Sequence, residues 1–129
     1  EAVRGRQAAD RGRLRVGEAE LVVTQPRLPC FKLNLRFNRP DMVRRFLASR
    51  RTGFYFAVAK EGLVTAGDPI TMLARDPAGV AVADITRVYA FDKADRETMR
   101  RIVAAPALAE GWRTYFAVQL AAAEAAAGA

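Results

Sequence analysis

Residues 25–37, with the sequence QPRLPCFKLNLRF, decide how the rest of the chain is interpreted. Pro26 and Pro29 each lack an N–H and bias the residue before them towards extended backbone. We therefore expect residues 24–30 to form a rigid loop with an exposed backbone, and neither a helix nor a central strand. After Cys30, apolar and polar residues alternate, which predicts a strand or an extended arm.

Cys30 carries the most reactive side-chain atom of this stretch. Arg27 and Lys32 flank it, and nearby cations favour the thiolate over the thiol. A thiolate is a nucleophile and a soft metal ligand. Most free cysteines, however, are small buried hydrophobic residues, so the local sequence leaves both interpretations of Cys30 open.

Short alternating stretches on both sides of this loop predict a mainly β region with one inserted helix. A hairpin around residues 17–18 precedes the loop. The sequence Asn-Arg-Pro-Asp at residues 38–41 predicts the start of an amphipathic helix of about three turns, capped by the Asn. Residues 54–59 and 69–73 are typical of two further strands.

The apolar pattern becomes helical after residue 79. We expect one domain over residues 1–76, which opens with an unpatterned end at residues 1–13, and a three-helix domain over residues 80–120. The Ala-rich residues 121–129 are expected to form a frayed helix or a disordered tail. The clearest helical face of the chain is formed by Leu108, Trp112, Tyr115, Phe116 and Leu120.

Composition excludes several classes of site. The chain of 129 residues has no His and one Cys, which excludes a Ser-His-Asp triad, a His-ligated metal, an internal disulfide and a four-Cys zinc or iron–sulfur site. No apolar run approaches the ~18 residues that a membrane span needs, and no signal peptide opens the chain. We therefore expect a cytoplasmic protein whose Cys stays a thiol.

Positive charge is concentrated in the first part of the chain. Residues 1–51 have a net charge of +8, whereas residues 52–129 have a net charge of −1. Such a concentration favours an anionic partner, for example a phosphate-bearing cofactor, an acidic substrate or nucleic acid. The Arg-rich and Ala-rich composition is explained equally well by a GC-rich genome.

The stretch QPRLPCFKLNLRF resembles the cysteine loop of MOSC domains, which are named after the C-terminal region of molybdenum cofactor sulfurases. Residues 13–27 resemble the strand pair that leads into that loop, and residues 51–76 resemble the closing strands of the family. Residues 80–120 resemble the 3-alpha domain that follows the barrel in YiiM-like members. The segments occur in the family's order over residues 14–120.

The resemblance implies a mainly β fold, a partial MOSC-type β-barrel with an inserted helix, followed by a small three-helix appendage. It also implies a molybdopterin-type molybdenum cofactor, with Cys30 as the molybdenum ligand and catalytic residue. Other residues at the family's motif positions, or beside them, are the implied cofactor contacts: Arg27, Lys32, Tyr55, Gln25, Asn34 and Thr24.

The activity implied by the family is the reduction of small N-hydroxylated bases and related compounds, with electrons from a separate flavin or iron–sulfur reductase. Family members have a further N-terminal half of the barrel, and this sequence starts at Glu1 without a Met. We therefore expect a truncated or processed chain that needs the missing half for oxidoreductase activity. Unpaired strand edges in a half barrel favour a homodimer.

Three alternatives remain open. Cys30 could carry a persulfide in a non-catalytic sulfur-carrier or cofactor-delivery module, or it could be packed in an inactive fragment. The three-helix region could bind DNA, but residues 80–129 hold six basic and six acidic residues. Since a recognition helix needs excess positive charge, we expect neither nucleic acid nor a membrane among the partners.

Overall fold

The structure, a computed structural model, describes residues 12–128. Most of the unpatterned end predicted for residues 1–13 lies outside the described residues, and Gly12 and Arg13 begin the first strand. The strands are β1 (Gly12–Val16), β2 (Ala19–Pro26), β3 (Phe54–Lys60) and β4 (Ile70–Arg75). The helices are α1 (Phe31–Phe37), α2 (Met42–Ser49), α3 (Val82–Ala90), α4 (Arg96–Ala104) and α5 (Glu110–Ala127).

The strands form one antiparallel sheet in the order β3-β2-β1-β4. Over residues 12–128 this sheet is open, in agreement with the expected partial barrel followed by helices. The predicted hairpin between β1 and β2 is present, and Gly17 adopts the positive φ of 56° that its turn needs. A side chain at Gly17 would also collide with the Leu63 carbonyl oxygen and the Asp68 carboxylate.

One face of the sheet is apolar and only partly covered. Leu14 of β1 and Val23 of β2 are buried against Val82 at the start of α3. Farther along β3, on the same face, Phe56 is 42% exposed and Val58 is 62% exposed. The helices therefore cover one end of this face and leave the β3 end open to solvent.

The strand predicted after Cys30 is wrong, because residues 31–37 form helix α1. The segment has no internal Gly or Pro and contains Leu, Lys and Arg, which are good helix formers. The helix ends at Asn38, whose left-handed backbone (φ 51°) closes it. Asn38 therefore terminates α1 and does not cap α2, whose capping position is taken by Asp41.

The loop predicted for residues 24–30 is shorter than expected, since β2 extends to Pro26, where it pairs with β3. An irregularity in the β2–β3 register lies between Val23 and Gln25, and Pro26 is the last residue of the strand, where a missing N–H costs little. The segment between β2 and β3 therefore carries two inserted helices, α1 and α2, where the sequence predicted one.

Helices α3, α4 and α5 surround their own apolar core, in which Ile85, Ile102 and Phe116 are almost fully buried. Helix α5 continues to Ala127, so residues 121–127 are helical and no disordered tail begins at residue 121. Ala has the highest helix propensity, and the carboxylate of Glu124 accepts hydrogen bonds of 2.7 and 3.0 Å from Arg100 on α4.

Candidate functional site

Cys30 lies at the capping position of α1, in the short turn between β2 and that helix. Its backbone is extended (φ −121°, ψ 172°), and its carbonyl oxygen accepts a hydrogen bond of 3.0 Å from the N–H of Leu33. The residue is exposed and its thiol is free. This exposure contradicts the alternative in which Cys30 is a packed hydrophobic residue.

Arg27 is held beside this turn by its backbone and by its side chain. Its N–H donates a hydrogen bond of 2.9 Å to the carbonyl oxygen of Gly53. Its guanidinium carbon lies 5.8 Å from the centre of the Phe46 ring on α2, which is a cation–π contact. Phe46 was not singled out by the sequence, because a contact across this separation in the chain leaves no local signal.

Thr24, Gln25 and Tyr55 are brought together by the pairing of β2 with β3. Gln25 lies opposite Tyr55 in the strand register. The hydroxyl of Thr24 donates a hydrogen bond of 3.3 Å to the carbonyl oxygen of Tyr55. Tyr55 is 51% exposed, so its phenol is accessible to a ligand.

Lys32 and Asn34 are separated by the helical geometry of α1. Two residues along an α-helix correspond to a rotation of about 200°, and the two side chains therefore point in nearly opposite directions. The Asn34 side-chain oxygen accepts a hydrogen bond of 2.8 Å from the N–H of Val43 in the first turn of α2. Lys32 is exposed, whereas the carbonyl of Asn34 is already used to hold α2.

The sequence segment that contains Cys30 is strongly positive. Residues 27–51 contain eight basic residues and one acidic residue, Asp41, so this segment has a net charge of +7. A hydrogen bond from the Arg39 guanidinium holds the pKa of Asp41 below its usual range. Within residues 12–128, no carboxylate pairs with the following cations: Lys32, Arg36, Arg44 and Arg51.

A second cation–π contact joins this segment to the C-terminal helices. The guanidinium carbon of Arg50, which follows α2, lies 4.9 Å from the centre of the Phe91 ring at the end of α3. The positively charged segment is therefore in direct contact with the end of α3.

The donor set of the site fits a metal that is held mainly by its own organic cofactor. The part of the chain that the structure describes contains no group of three or more Cys, Asp or Glu side chains able to hold a metal ion. Cys30 supplies one exposed soft ligand, and the surrounding cations suit a phosphate-bearing anion.

None of the helices within residues 12–128 has the length and apolar character needed to cross a membrane.

Family models agree with the order of elements along the chain. The model described as "MOSC domain" matches residues 2–71. The chain belongs to the MOSC domain family. The model described as "YiiM-like, 3-alpha helix domain" matches residues 80–123, so this MOSC chain has the YiiM-like arrangement.

Individual proteins support the same assignment. Over 102 residues the MOSC chain is 37% identical to the "Uncharacterized protein YflK" of Bacillus subtilis (strain 168), covering 79% of the chain and 46% of YflK. The crystal structure of YiiM from Geobacillus stearothermophilus matches with a TM-score of 0.79 and 30% identity, covering 87% of this chain and 60% of that one. The chain thus spans about half the length of YflK and somewhat more of that YiiM.

A third relative is much larger. A protein named "Reductase" from Gibberella moniliformis (strain M3125 / FGSC 7600) is 40% identical over 68 residues. The match covers 53% of this chain but 12% of the Reductase. The shared region is therefore a small part of that protein.

Proposed function

We propose that this chain contributes to a molybdenum-cofactor-dependent oxidoreductase that reduces small N-hydroxylated bases, and that Cys30 is the molybdenum ligand. The observation that carries this proposal is the exposed thiol of Cys30 at the start of α1, within a segment of net charge +7. A free thiol that faces solvent is accessible to a metal, which it binds through its sulfur. The relative named Reductase supports the reaction class.

The reaction consumes two electrons and two protons. The N–O bond of the N-hydroxylated base breaks, the oxygen leaves as water, and the nitrogen becomes an amine or imine N–H. The electrons come from a separate protein with a flavin or an iron–sulfur centre, which is oxidised. When bound, the molybdenum cofactor supplies a redox-active metal with an open position for the substrate oxygen.

The residues around Cys30 would bind the cofactor and orient it. Arg27 and Lys32 neutralise the anionic groups of the cofactor, and Arg27 is already fixed on Phe46. Thr24, Gln25 and Tyr55 provide polar contacts from neighbouring strands. The side-chain amide of Asn34 is the remaining predicted contact, although its oxygen holds α2.

The reaction would take place in a longer protein or assembly that contains the rest of the barrel. YflK is about twice as long as the part that this chain covers. The apolar sheet face at Phe56 and Val58 is open, and the rest of the barrel would cover it. We propose a cytoplasmic location for the complete enzyme.

Molybdenum content tests the ligand assignment. This chain, a longer protein that supplies the rest of the barrel, and the Cys30→Ser variant of each would be purified from a host that makes the cofactor, and molybdenum per chain would be measured by mass spectrometry. We expect the variant to lose molybdenum while its circular dichroism and unfolding midpoint stay unchanged, because Cys30 is exposed. Val118→Ser, at an exposed position on α5, is the matched control and should retain the metal.

Two results would contradict the proposal. Equal and measurable molybdenum content in a Cys30→Ser variant and its unchanged parent would mean that Cys30 is not the ligand. A persulfide on the Cys30 peptide, found without any molybdenum in the preparation, would favour the sulfur-carrier alternative.

A further inference from the structure

Helix α1 has an outward face on which apolar and basic side chains lie side by side. Phe31 and Leu35 are one turn apart and form an apolar row, while Lys32 and Arg36 form a basic row next to it. Phe31 is 67% exposed and Leu35 is 72% exposed, and both basic residues are exposed. We call these four residues the α1 face.

Arg36 of the α1 face is available for an external partner, whereas Lys32 is assigned to the cofactor. Among residues 12–128, the carboxylate nearest in sequence, Asp41, pairs with Arg39 and Arg45, and no carboxylate pairs with Lys32 or Arg36. Two large apolar side chains flanked by unpaired cations resemble the centre and rim of a protein interface. Arg and aromatic residues are also the types most often enriched among residues that dominate binding energy.

The α1 face is close to the proposed reaction centre. Cys30 occupies the capping position directly before Phe31. A helix of 7 residues is about 10 Å long, so every residue of the face lies within about one helix length of the Cys30 backbone. A protein seated on this face would therefore hold its own redox centre near the thiol.

We propose that the α1 face docks an electron-donor protein that has an acidic surface around a flavin or iron–sulfur centre. This inference rests on the proposed function, which needs two electrons from outside the chain. Positive and negative surfaces that match accelerate association and select the partner. Phe31 and Leu35 then bury apolar area at the middle of the contact.

Binding to reduced flavodoxin, an acidic flavin protein, tests the proposal. Affinity would be measured by calorimetry without oxygen at two salt concentrations, for the unchanged chain and for Leu35→Ser/Arg36→Glu. We expect binding that weakens with salt and a loss of at least roughly tenfold in the double variant. Val118→Ser/Arg96→Glu, which changes one exposed apolar and one exposed basic residue on α5 and α4, should bind within about twofold of the unchanged chain.

The single variants Leu35→Ser and Arg36→Glu are measured in the same way. Their circular dichroism shows whether they are folded, so that a loss of binding is distinguished from a loss of folding. Equal losses in both double variants would overturn the proposal, because binding would then follow total charge. Absence of binding to flavodoxin and to an acidic [2Fe–2S] ferredoxin would also overturn it. If ultracentrifugation shows a dimer that Leu35→Ser/Arg36→Glu converts to a monomer, the face is a contact between two copies and the proposal fails.

Molybdenum content measured on the same samples distinguishes the two proposals. Donor binding at the α1 face of a protein that includes the rest of the barrel but holds no molybdenum would refute the proposed function but leave the docking surface. Retained molybdenum together with unchanged donor binding in the α1-face variant would refute the docking surface alone.

Discussion

The side-chain oxygen of Asn34 accepts a hydrogen bond of 2.8 Å from the backbone N–H of Val43. Asn34 lies on α1, which Cys30 begins, and Val43 lies in the first turn of α2, where backbone N–H groups have no partner within the helix. The Asn34 side chain therefore supplies an acceptor for an N–H in the first turn of α2, and it fixes the start of α2 relative to α1. The position of the helix after Cys30 depends on this contact.

Replacement of Asn34 by Ala should destabilise the protein by about 1 kcal/mol, because the Val43 N–H loses its acceptor. The measurement is the free energy of unfolding in urea. Asn34→Asp keeps a side-chain oxygen at the same place and should retain most of the stability. Identical unfolding curves for Asn34→Ala and the unchanged chain would contradict the assigned role.

Replacement of Phe116 by Ala should cost about 3–5 kcal/mol, because Phe116 is 1% exposed in the core of the three C-terminal helices. Its ring stacks on Trp112 with 5.7 Å between ring centres. Trp112→Ala should cost less, since Trp112 is only partly buried. Val118→Ala, at a position that is 60% exposed, is the control and should change the thermal unfolding midpoint little. If Phe116→Ala had the same midpoint as this control, α5 would not be packed at Phe116.

Replacement of Arg113 by Met should cost about 1.5–3 kcal/mol, the range for hydrogen bonds to charged groups. The Arg113 guanidinium donates to the carbonyl oxygens of Val103, Ala105 and Leu108 at 2.6, 3.0 and 3.3 Å. It therefore satisfies carbonyls at the end of α4 and in the following turn. In chemical denaturation, the stability of Arg113→Lys should lie between that of the unchanged chain and that of Arg113→Met. Arg96→Met, at an exposed site, is the control and should leave the stability unchanged. Equal losses of stability in Arg113→Met and Arg96→Met would contradict the prediction.

Replacement of Asp95 by Asn should weaken the acid dependence of stability. Hydrogen bonds from the Thr98 N–H and hydroxyl, and then from Arg87, hold the pKa of Asp95 below its usual range. A carboxylate with a lowered pKa stabilises the fold above its ordinary pKa and loses that contribution as the pH falls through the lowered value.

The stability difference between the chain and Asp95→Asn should therefore be largest near pH 7 and should shrink below about pH 4. Urea midpoints measured over that range are the test. Glu61→Gln, at an exposed position, is the control and should follow the unchanged chain. A constant difference at every pH would mean that the charge of Asp95 contributes nothing.

Much of the architecture could be predicted from the sequence because it depends on local preferences. The positive φ at Gly17 sets the first hairpin, and the strand at residues 54–60 follows from its aromatic and β-branched residues. The helical spacing of Trp112, Phe116 and Leu120 predicted the packed face of α5, whereas Leu108, expected on the same face, lies before that helix. The family of the chain was likewise readable from the cysteine loop and the segments that follow it in order.

The sequence by itself determined the hairpin, the family and the identity of Cys30 as the single thiol. Only the tertiary structure decided that residues 31–37 are a helix, because seven residues with apolar side chains at both two-residue and four-residue spacings fit either structure. It also decided which cations are engaged: Arg27 lies on Phe46 and Arg50 on Phe91. These contacts join residues far apart in the chain, and a local pattern carries no record of a partner that folding brings close.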